Sequence, residues 1–199
     1  MARRKTPTRV SDTSLHSSKS PVSHAHSGSG ALSHTLVPLC ATDLPELWLL
    51  HSDPRVFELD TIGPLETVDQ MQRVLGIWMH SHERDGYGYS AIRENATGAF
   101  LGIAGLSAMP LGDRWVANTY VRLTPEAWGT GTATSALKQS LRAVASLDSA
   151  PREAAFITAE QNLPARRLAE RLGFTLSTES DPTESGAHVV YLLDLHDLS

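Results

Sequence analysis

The chain has 199 residues, a length that allows one ordinary folded domain, and 41% of them are hydrophobic, which excludes a wholly disordered protein. No stretch approaches the roughly 20 apolar residues of a membrane-spanning helix. The net charge of −5 argues against a protein dedicated to nucleic acid.

The first 30 residues differ from the rest in composition and charge. They contain five basic residues, one acidic residue, eight serines and only six hydrophobic residues, which gives a net charge of +4. Such a segment buries too little apolar surface to offset the entropy lost on ordering. We therefore predict a disordered basic tail over residues 1–30 and one folded domain over residues 31–199. A tether to RNA or to a ribosome is an alternative role for the tail.

Cysteine and histidine usage limits the chemistry of the chain. Cys40 is the single cysteine, which excludes an internal disulfide framework and a multi-cysteine metal site. The histidines of the tail lack regular ligand spacing, so no metal site is predicted. No apolar segment follows Arg3 and Arg4, so no export signal is indicated and the expected compartment is the cytoplasm.

Hydrophobic periodicity predicts seven strands and four helices in the order β-α-α-β-β-β-α-β-α-β-β. The predicted strands cover residues 32–39, 87–93, 99–106, 115–123, 154–159, 174–178 and 189–195, and the predicted helices cover residues 43–51, 67–85, 133–147 and 162–172. A run of hairpin strands precedes the first strand-helix-strand crossover. This order predicts an α/β fold with a mixed sheet and helices on both faces.

Helix starts carry recognisable caps. Thr67 and Gln70 have the spacing of a capping box, and so do Asp43 and Glu46. Asn162 is a helix N-cap residue by type and position. These caps support the predicted starts of three of the four helices.

The segment from Val121 to Thr134 carries the strongest chemical signal. A strand ends, a proline breaks it, and the loop from Trp128 to Ala133 opens directly into a helix. Gly129 and Gly131 allow the backbone to curl so that successive N–H groups point inward, and the helix N-terminus adds free amides and a partial positive charge. Such a loop suits a phosphate or pyrophosphate, with threonine hydroxyls as further donors. A purely structural turn is the alternative interpretation of the same glycines.

This loop and three further segments resemble the GCN5-related N-acetyltransferases. Residues 123–134 resemble the family's strand-to-helix acetyl-CoA loop, and residues 162–174, an Asn-led helix ending in Leu-Gly-Phe, resemble its second signature. Residues 43–54 and 97–106 resemble the family's first helix and hairpin strand. The resemblance covers residues 34–195 and is closest to the branch that acetylates the N-termini of ribosomal proteins.

The resemblance implies a mostly antiparallel sheet and direct transfer of an acetyl group from acetyl-CoA, as cosubstrate, to an amine. It implies that the strand ending at Leu123 separates from its neighbour near a bulge and leaves amides free for the pantetheine arm. It also implies that Asn162 bonds the cofactor arm or the incoming substrate backbone, besides capping its helix. The cofactor-binding residues implied in this way are Val121, Arg122, Leu123, Trp128, Gly129, Thr130, Gly131, Thr132, Ala133, Thr134 and Asn162.

The chain departs from the family at the positions that move protons. Ala169 stands where the family usually has a tyrosine general acid, and Ala165 stands where the ribosomal branch often has a serine. Asn118 stands where a glutamate base is common. Our catalytic candidates are Asn118 itself and the acids Glu58 and Asp60, whose segment borders the acceptor cleft in the family. The departures also favour an alternative function, a catalytically degenerate acyl-CoA-binding module with a regulatory or assembly role.

The expected acceptor is a small-molecule amine or a peptide N-terminus. Outside the tail the chain has twelve basic and 21 acidic residues, a net charge of −9, which favours a cationic acceptor. No membrane or nucleic-acid partner is predicted for the folded domain. A homodimer, formed through the sheet or through the tryptophan-bearing helices, is left open.

Overall fold

A computed structural model of the chain describes residues 33–179 and 188–198, so the predicted tail at residues 1–30 lies outside the described residues. Within the described ranges no helix is both long enough and apolar enough to cross a membrane. The strands are β1 His34–Pro38, β2 Tyr89–Glu94, β3 Phe100–Leu111, β4 Arg114–Leu123, β5 Glu153–Ala159, β6 Thr175–Leu176 and β7 His188–Asp194. The helices are α1 Leu44–Ser52, α2 Val68–Asp85, α3 Thr132–Ala145 and α4 Leu163–Arg171.

The strands form one sheet in the order β1-β2-β3-β4-β5-β7-β6. Neighbouring strands are antiparallel except for β4 and β5, which are parallel and are joined by the crossover through α3. The predicted mixed, mostly antiparallel sheet is confirmed. The parallel pair lies at the centre of the sheet, between two antiparallel groups of strands.

Helices cover both faces of the sheet, as predicted. On one face, which we call the α1–α2 face, Leu47 and Met71 pack against Tyr89 and Ile103 of the sheet. On the other face, the α3–α4 face, Leu137, Leu141 and Leu168 pack against strand residues that include Ala117 and Leu123. Because side chains alternate along a strand, Asn118, Tyr120 and Arg122 of β4 lie on the α1–α2 face.

The capping prediction is confirmed for α2 and wrong for α1. The Gln70 amide donates to the Thr67 hydroxyl at 3.2 Å, and the Thr67 amide donates to the Gln70 side chain at 3.0 Å. Asp43 makes no side-chain cap of α1. Its carboxylate accepts from the backbone amide of Cys40 and from Arg93 on β2 instead, and Arg93 also binds Glu46. A charged partner from the sheet therefore replaces the weaker local cap.

Candidate active site

Strands β4 and β5 separate soon after they meet. They pair at only two positions, Ala117 with Ala154 and Asn118 with Ala155. The hydroxyl of Thr119 donates to the carbonyl of Ala155 just beyond the second pair. From there to its end, β4 pairs with β3 alone among the described strands. An opening therefore forms between the carboxyl ends of two adjacent parallel strands, where ligands commonly bind in α/β folds.

The β4 edge of this opening presents backbone donors. The amide of Thr124 donates to the carbonyl of Leu101 at 2.9 Å, so this residue bonds towards β3. Because the bonding direction alternates along an antiparallel strand, Val121 and Leu123 direct their amides to the other side, into the opening. The register between β3 and β4 runs without a shift from Arg114 to Leu123, so the predicted bulge is absent from this pair.

The loop between β4 and α3 is shaped by two glycines with left-handed backbone conformation. Gly129 has a φ of +73° and Gly131 a φ of +82°. A Cβ placed on either residue would meet nothing within 4 Å, so the need for glycine comes from the backbone conformation alone. Gly131 is the N-cap residue of α3 and supplies no side-chain cap. The amide of Thr132 donates to the Thr130 hydroxyl oxygen at 3.4 Å, and the next amides of the first turn of α3 have no acceptor within the helix, which is the arrangement that binds phosphate groups.

The loop threonines bond to the loop itself. The Thr130 hydroxyl donates to the carbonyl of Ala127 at 2.7 Å, and the Thr132 hydroxyl lies 2.8 Å from the Thr130 hydroxyl. Since Thr130 has used its one hydrogen, Thr132 is the donor of that second bond. Both hydroxyls thus stabilise the loop, whereas the prediction made them ligand donors. The half-exposed Trp128 ties the loop to β4, because its indole N–H donates to the carbonyl of Leu123 at 3.2 Å.

Asn162 caps α4 on the far side of the opening. Its side-chain oxygen accepts from the amide of Ala165 at 3.1 Å, which confirms the capping interpretation. Asn162 follows the end of β5 as the glycine loop follows the end of β4, so two helix N-termini flank the opening. Capping uses the oxygen, and the side-chain NH₂ is the group of Asn162 that could donate to a cofactor arm or a peptide.

Asn118 lies where the two strands part. It is the last β4 residue paired with β5, and its side chain lies on the α1–α2 face. Its Oδ1 is buried and has no hydrogen-bond partner among the described residues. A buried acceptor without a donor typically costs about 1–3 kcal/mol, so such an atom marks a place where a ligand N–H fits. An amide does not take up a proton near neutral pH, so Asn118 can orient an amine and cannot act as its base.

The acidic candidates occupy different environments. Asp60 pairs with the buried Arg122, whose Nη2 lies 2.6 Å from Oδ2 of Asp60. Arg122 also donates to the carbonyl of Val56 and to the Tyr120 hydroxyl, both at 2.6 Å. Burial disfavours its charge, but these partners outweigh burial and raise the pKa of Arg122 above its usual value. Glu58 is exposed and stands outside this group of contacts. The structure therefore brings Asp60 and Arg122 together and leaves Glu58 apart.

His51 extends the same polar network, although sequence analysis did not single it out. Its Nδ1 lies 2.9 Å from the carbonyl of Leu47, and its Nε2 lies 3.3 Å from the Tyr120 hydroxyl. Nδ1 can only donate to a carbonyl, so Nε2 accepts from Tyr120. Burial is the main cause that lowers the pKa of His51 to about 4, and the imidazole is neutral at physiological pH. No local signal links two residues that are 69 positions apart.

In the part of the chain that the structure describes, no group of three or more histidine, cysteine, aspartate or glutamate side chains is arranged to hold a metal ion.

Residues 34–175 match the family model of the acetyltransferase (GNAT) domain, and this match covers more than half of the chain. The chain therefore belongs to the GNAT acetyltransferase family. No curated protein matches the sequence.

Solved structures of acetyltransferases are similar to this chain in fold. An acetyltransferase from Agrobacterium tumefaciens is 21% identical, with 84% of this chain and 98% of that chain covered and a TM-score of 0.68. A spermidine N-acetyltransferase from Vibrio cholerae, in complex with CoA and spermine, is 19% identical, with 83% and 98% covered and a TM-score of 0.65. RimL, a ribosomal α-N-protein acetyltransferase in complex with CoA, is 16% identical, with 82% and 95% covered and a TM-score of 0.68. Identities of this size support the fold and do not select a substrate.

Proposed function

We propose that the protein is an N-acetyltransferase that moves the acetyl group of acetyl-CoA directly to a primary amine. The observation that carries the proposal is the opening between β4 and β5, flanked by the uncapped N-terminus of α3 on a GNAT fold. The amine nitrogen forms the new C–N bond, the thioester C–S bond breaks, and CoA leaves as the thiol. The proton released by the amine passes to water or to the departing sulfur.

The backbone supplies most of the proposed binding groups. The amides of Val121 and Leu123 would bond the pantetheine arm, and free amides of the loop from Gly129 to Thr134 would bond the pyrophosphate. The Trp128 amide already donates to the carbonyl of Pro125 at 3.2 Å. An amide at the end of β4 would also stabilise the negative charge that develops on the carbonyl oxygen, a contact worth about 3–4 kcal/mol in other enzymes. Backbone donors are held in place by the sheet and the helix, so they need no reorganisation when the ligand arrives.

Asn118 is the side chain that we assign to the acceptor amine. Its buried Oδ1 would accept an N–H of the amine at the bottom of the opening and hold the nitrogen in line with the thioester. The amide of Asn118 cannot remove the proton, so the amine must lose it to water or to the departing sulfur.

The acceptor class is a cationic amine or a peptide N-terminus. The acidic balance of residues 31–199 supports a cationic acceptor, and similar folds include a spermidine and a ribosomal-protein acetyltransferase. The ribosomal-protein branch, a cytoplasmic location, a homodimer and a tethering role of residues 1–30 are parts of the proposal that need separate tests. Sedimentation of the purified protein measures the oligomeric state.

Two measurements test the proposed function. Calorimetric titration with acetyl-CoA should show binding, and a thiol-release assay with polyamines, peptides and aminoglycosides should identify an acceptor. Failure to bind acetyl-CoA at high micromolar concentration would contradict the proposal.

A degenerate acyl-CoA-binding module is the second candidate. The specific observation in its favour is that the two α4 positions where the family has a tyrosine or a serine are alanines, Ala169, which is fully buried, and Ala165. Tight acetyl-CoA binding without thiol release on any acceptor would favour this candidate over the enzyme.

A further inference from the structure

We propose that Arg122 and Asp60 form a positioning clamp, which holds the acceptor side of the site against the strand that carries the cofactor amides. The clamp consists of the Arg122 guanidinium and its partners on residues 54–60. The term acceptor side rests on the proposed function, whereas the contacts of the clamp are observed independently of that proposal.

The clamp joins one side chain to three groups of a single short segment. Arg122 donates to the carbonyl of Val56 and to the carboxylate of Asp60, both at 2.6 Å, and its guanidinium lies 3.8 Å from the centre of the Phe57 ring. The fourth partner is the Tyr120 hydroxyl on the same strand. Here the guanidinium is 9% exposed, so each of its partners replaces a lost water contact.

The position of Arg122 in β4 explains how the clamp acts on the site. Arg122 lies between Val121 and Leu123, whose amides face the opening, while its own side chain lies on the α1–α2 face. The segment that it holds is fixed at its other end, where Asp53 accepts from the amide of Arg55 at 3.0 Å directly after α1. Arg122 therefore links the cofactor strand to a segment that is also held by α1 through Asp53 and by the contact of the following residue, Thr61, with His188 of β7.

The contacts between Arg122 and Asp60 also distinguish a positioning role of Asp60 from a role as general base. Oδ2 of Asp60 already accepts from Nη2 of Arg122 at 2.6 Å, so the carboxylate is engaged in holding the buried guanidinium. A general base must take up a proton in every turnover. Asp60 is thus a positioning residue, which helps the clamp to hold its segment in place and takes no part in proton transfer.

Steady-state kinetics separate positioning from catalysis. Asp60→Asn keeps the size and one oxygen acceptor but removes the charge, and Arg122→Met removes the donors. The matched control is Glu153→Gln, which takes a carboxylate from Arg114 at the opposite end of β4, where the two groups are also 2.6 Å apart.

The clamp predicts that Asp60→Asn raises the KM for the acceptor by about fivefold or more, while kcat and the Kd for acetyl-CoA stay within about twofold. The pH profile of kcat/KM should keep its shape. A general base at Asp60 predicts instead a fall in kcat of about 10²–10⁴-fold with loss of the acidic limb, and that result would overturn the clamp.

Hydrogen exchange without any substrate gives a second readout. The amide of Asp60 donates to the carbonyl of Phe57 at 3.0 Å, and the amide of Val56 donates to that of Asp53 at 3.2 Å. Both amides should exchange at least about tenfold faster in Asp60→Asn than in the wild type or in Glu153→Gln, because the segment opens more often. Unchanged exchange would overturn the clamp.

The two readouts distinguish failure of the clamp from failure of the proposed function. If the wild-type protein acetylates no amine, the proposed function fails and the exchange data alone decide the clamp. If Arg122→Met does not fold, Asp60→Asn carries both measurements, because it retains the hydrogen-bond geometry.

Discussion

His51 is enclosed by aromatic rings, with the ring centroids of Phe57 and Trp78 at 6.3 and 5.5 Å. Both of its nitrogens are hydrogen-bonded, and the facing groups are the Tyr120 hydroxyl and, beyond it, the Arg122 charge. A protonated imidazole would lose the bond from Tyr120 and gain a positive neighbour. The residue is therefore built to stay neutral.

This neutrality predicts a loss of stability in acid. The folded-state pKa of about 4 lies below the value of 6.5 for a free histidine, so between pH 6.5 and pH 4 the unfolded chain binds a proton that the folded chain does not. The contribution of His51 to the free energy of unfolding is complete above pH 6.5 and falls by about 2 kcal/mol at pH 5. Urea unfolding at pH 7.5 and pH 5 should show a smaller pH dependence in His51→Gln than in the wild type.

The control for this prediction is His80→Gln, which changes an exposed histidine of α2. It should retain the wild-type pH dependence. Equal pH dependence of the wild type and His51→Gln would show that the imidazole does not govern acid stability.

Substitution of Asn118 is expected to have opposite effects on stability and on activity. Its buried Oδ1 lacks a partner, so Asn118→Ala removes an unsatisfied acceptor and should leave the thermal midpoint unchanged or higher. The same variant should lower kcat/KM for the acceptor by about tenfold or more, with unchanged affinity for acetyl-CoA. Thermal unfolding and thiol-release kinetics on one sample check both halves. A large drop in the thermal midpoint would mean that Asn118 serves packing.

At the scale of elements, the site is made from strand ends and helix starts. β4 leads into α3 through the glycine loop, and β5 leads into α4 through Asn162. The separation of the two strands turns both helix N-termini towards one opening. The glycine loop is the element whose role can be tested by itself, because the chain contains a second glycine with the same backbone conformation.

Gly131→Leu and Gly98→Leu form that matched pair. Gly98 has a φ of +75° and Gly131 a φ of +82°, and a Cβ on either meets nothing within 4 Å. Each leucine should therefore lower the free energy of unfolding by a similar amount, about 1–2 kcal/mol. Only Gly131→Leu should weaken acetyl-CoA binding, by more than about tenfold, because its side chain enters the proposed pyrophosphate site. Calorimetric titration of both variants makes the comparison, and retained binding by Gly131→Leu would place the pyrophosphate elsewhere.

At the scale of the whole molecule, the average net charge of −5 combines a segment of +4 with a remainder of −9. The buried hydrophobic residues of the described ranges all lie between Leu39 and Leu195. We therefore propose that residues 31–199 fold without the first 30 residues.

A chain that starts at residue 31 should keep the thermal midpoint and the acetyl-CoA affinity of the full protein, because the apolar surface that drives folding is retained. Differential scanning calorimetry and titration measure these quantities. A lower thermal midpoint would show that residues 1–30 contribute to the fold. Ribosome co-sedimentation of the two lengths tests the tether separately, and equal co-sedimentation would reject it.

Much of the architecture was predictable because its determinants are local. Hydrophobic periodicity indicated seven strands and four helices, and Thr67, Asn162 and the glycines marked the ends of elements. These signals act through backbone conformation and hydrogen bonds a few residues apart. The glycine loop was found for the same reason, since two left-handed residues before a helix are visible in the sequence.

Only the tertiary structure decided which distant groups meet. Arg122 and Asp60 are 62 residues apart, and Asp43 turns from its own helix to Arg93, 50 residues away. A charged side chain in a sequence is compatible with many partners, and packing of the α1–α2 face selects one. The sequence alone therefore determined the order of elements and the glycine loop, and its family resemblance implied that the end of β4 separates from its neighbour. The clamp depends on long-range packing that no local pattern encodes.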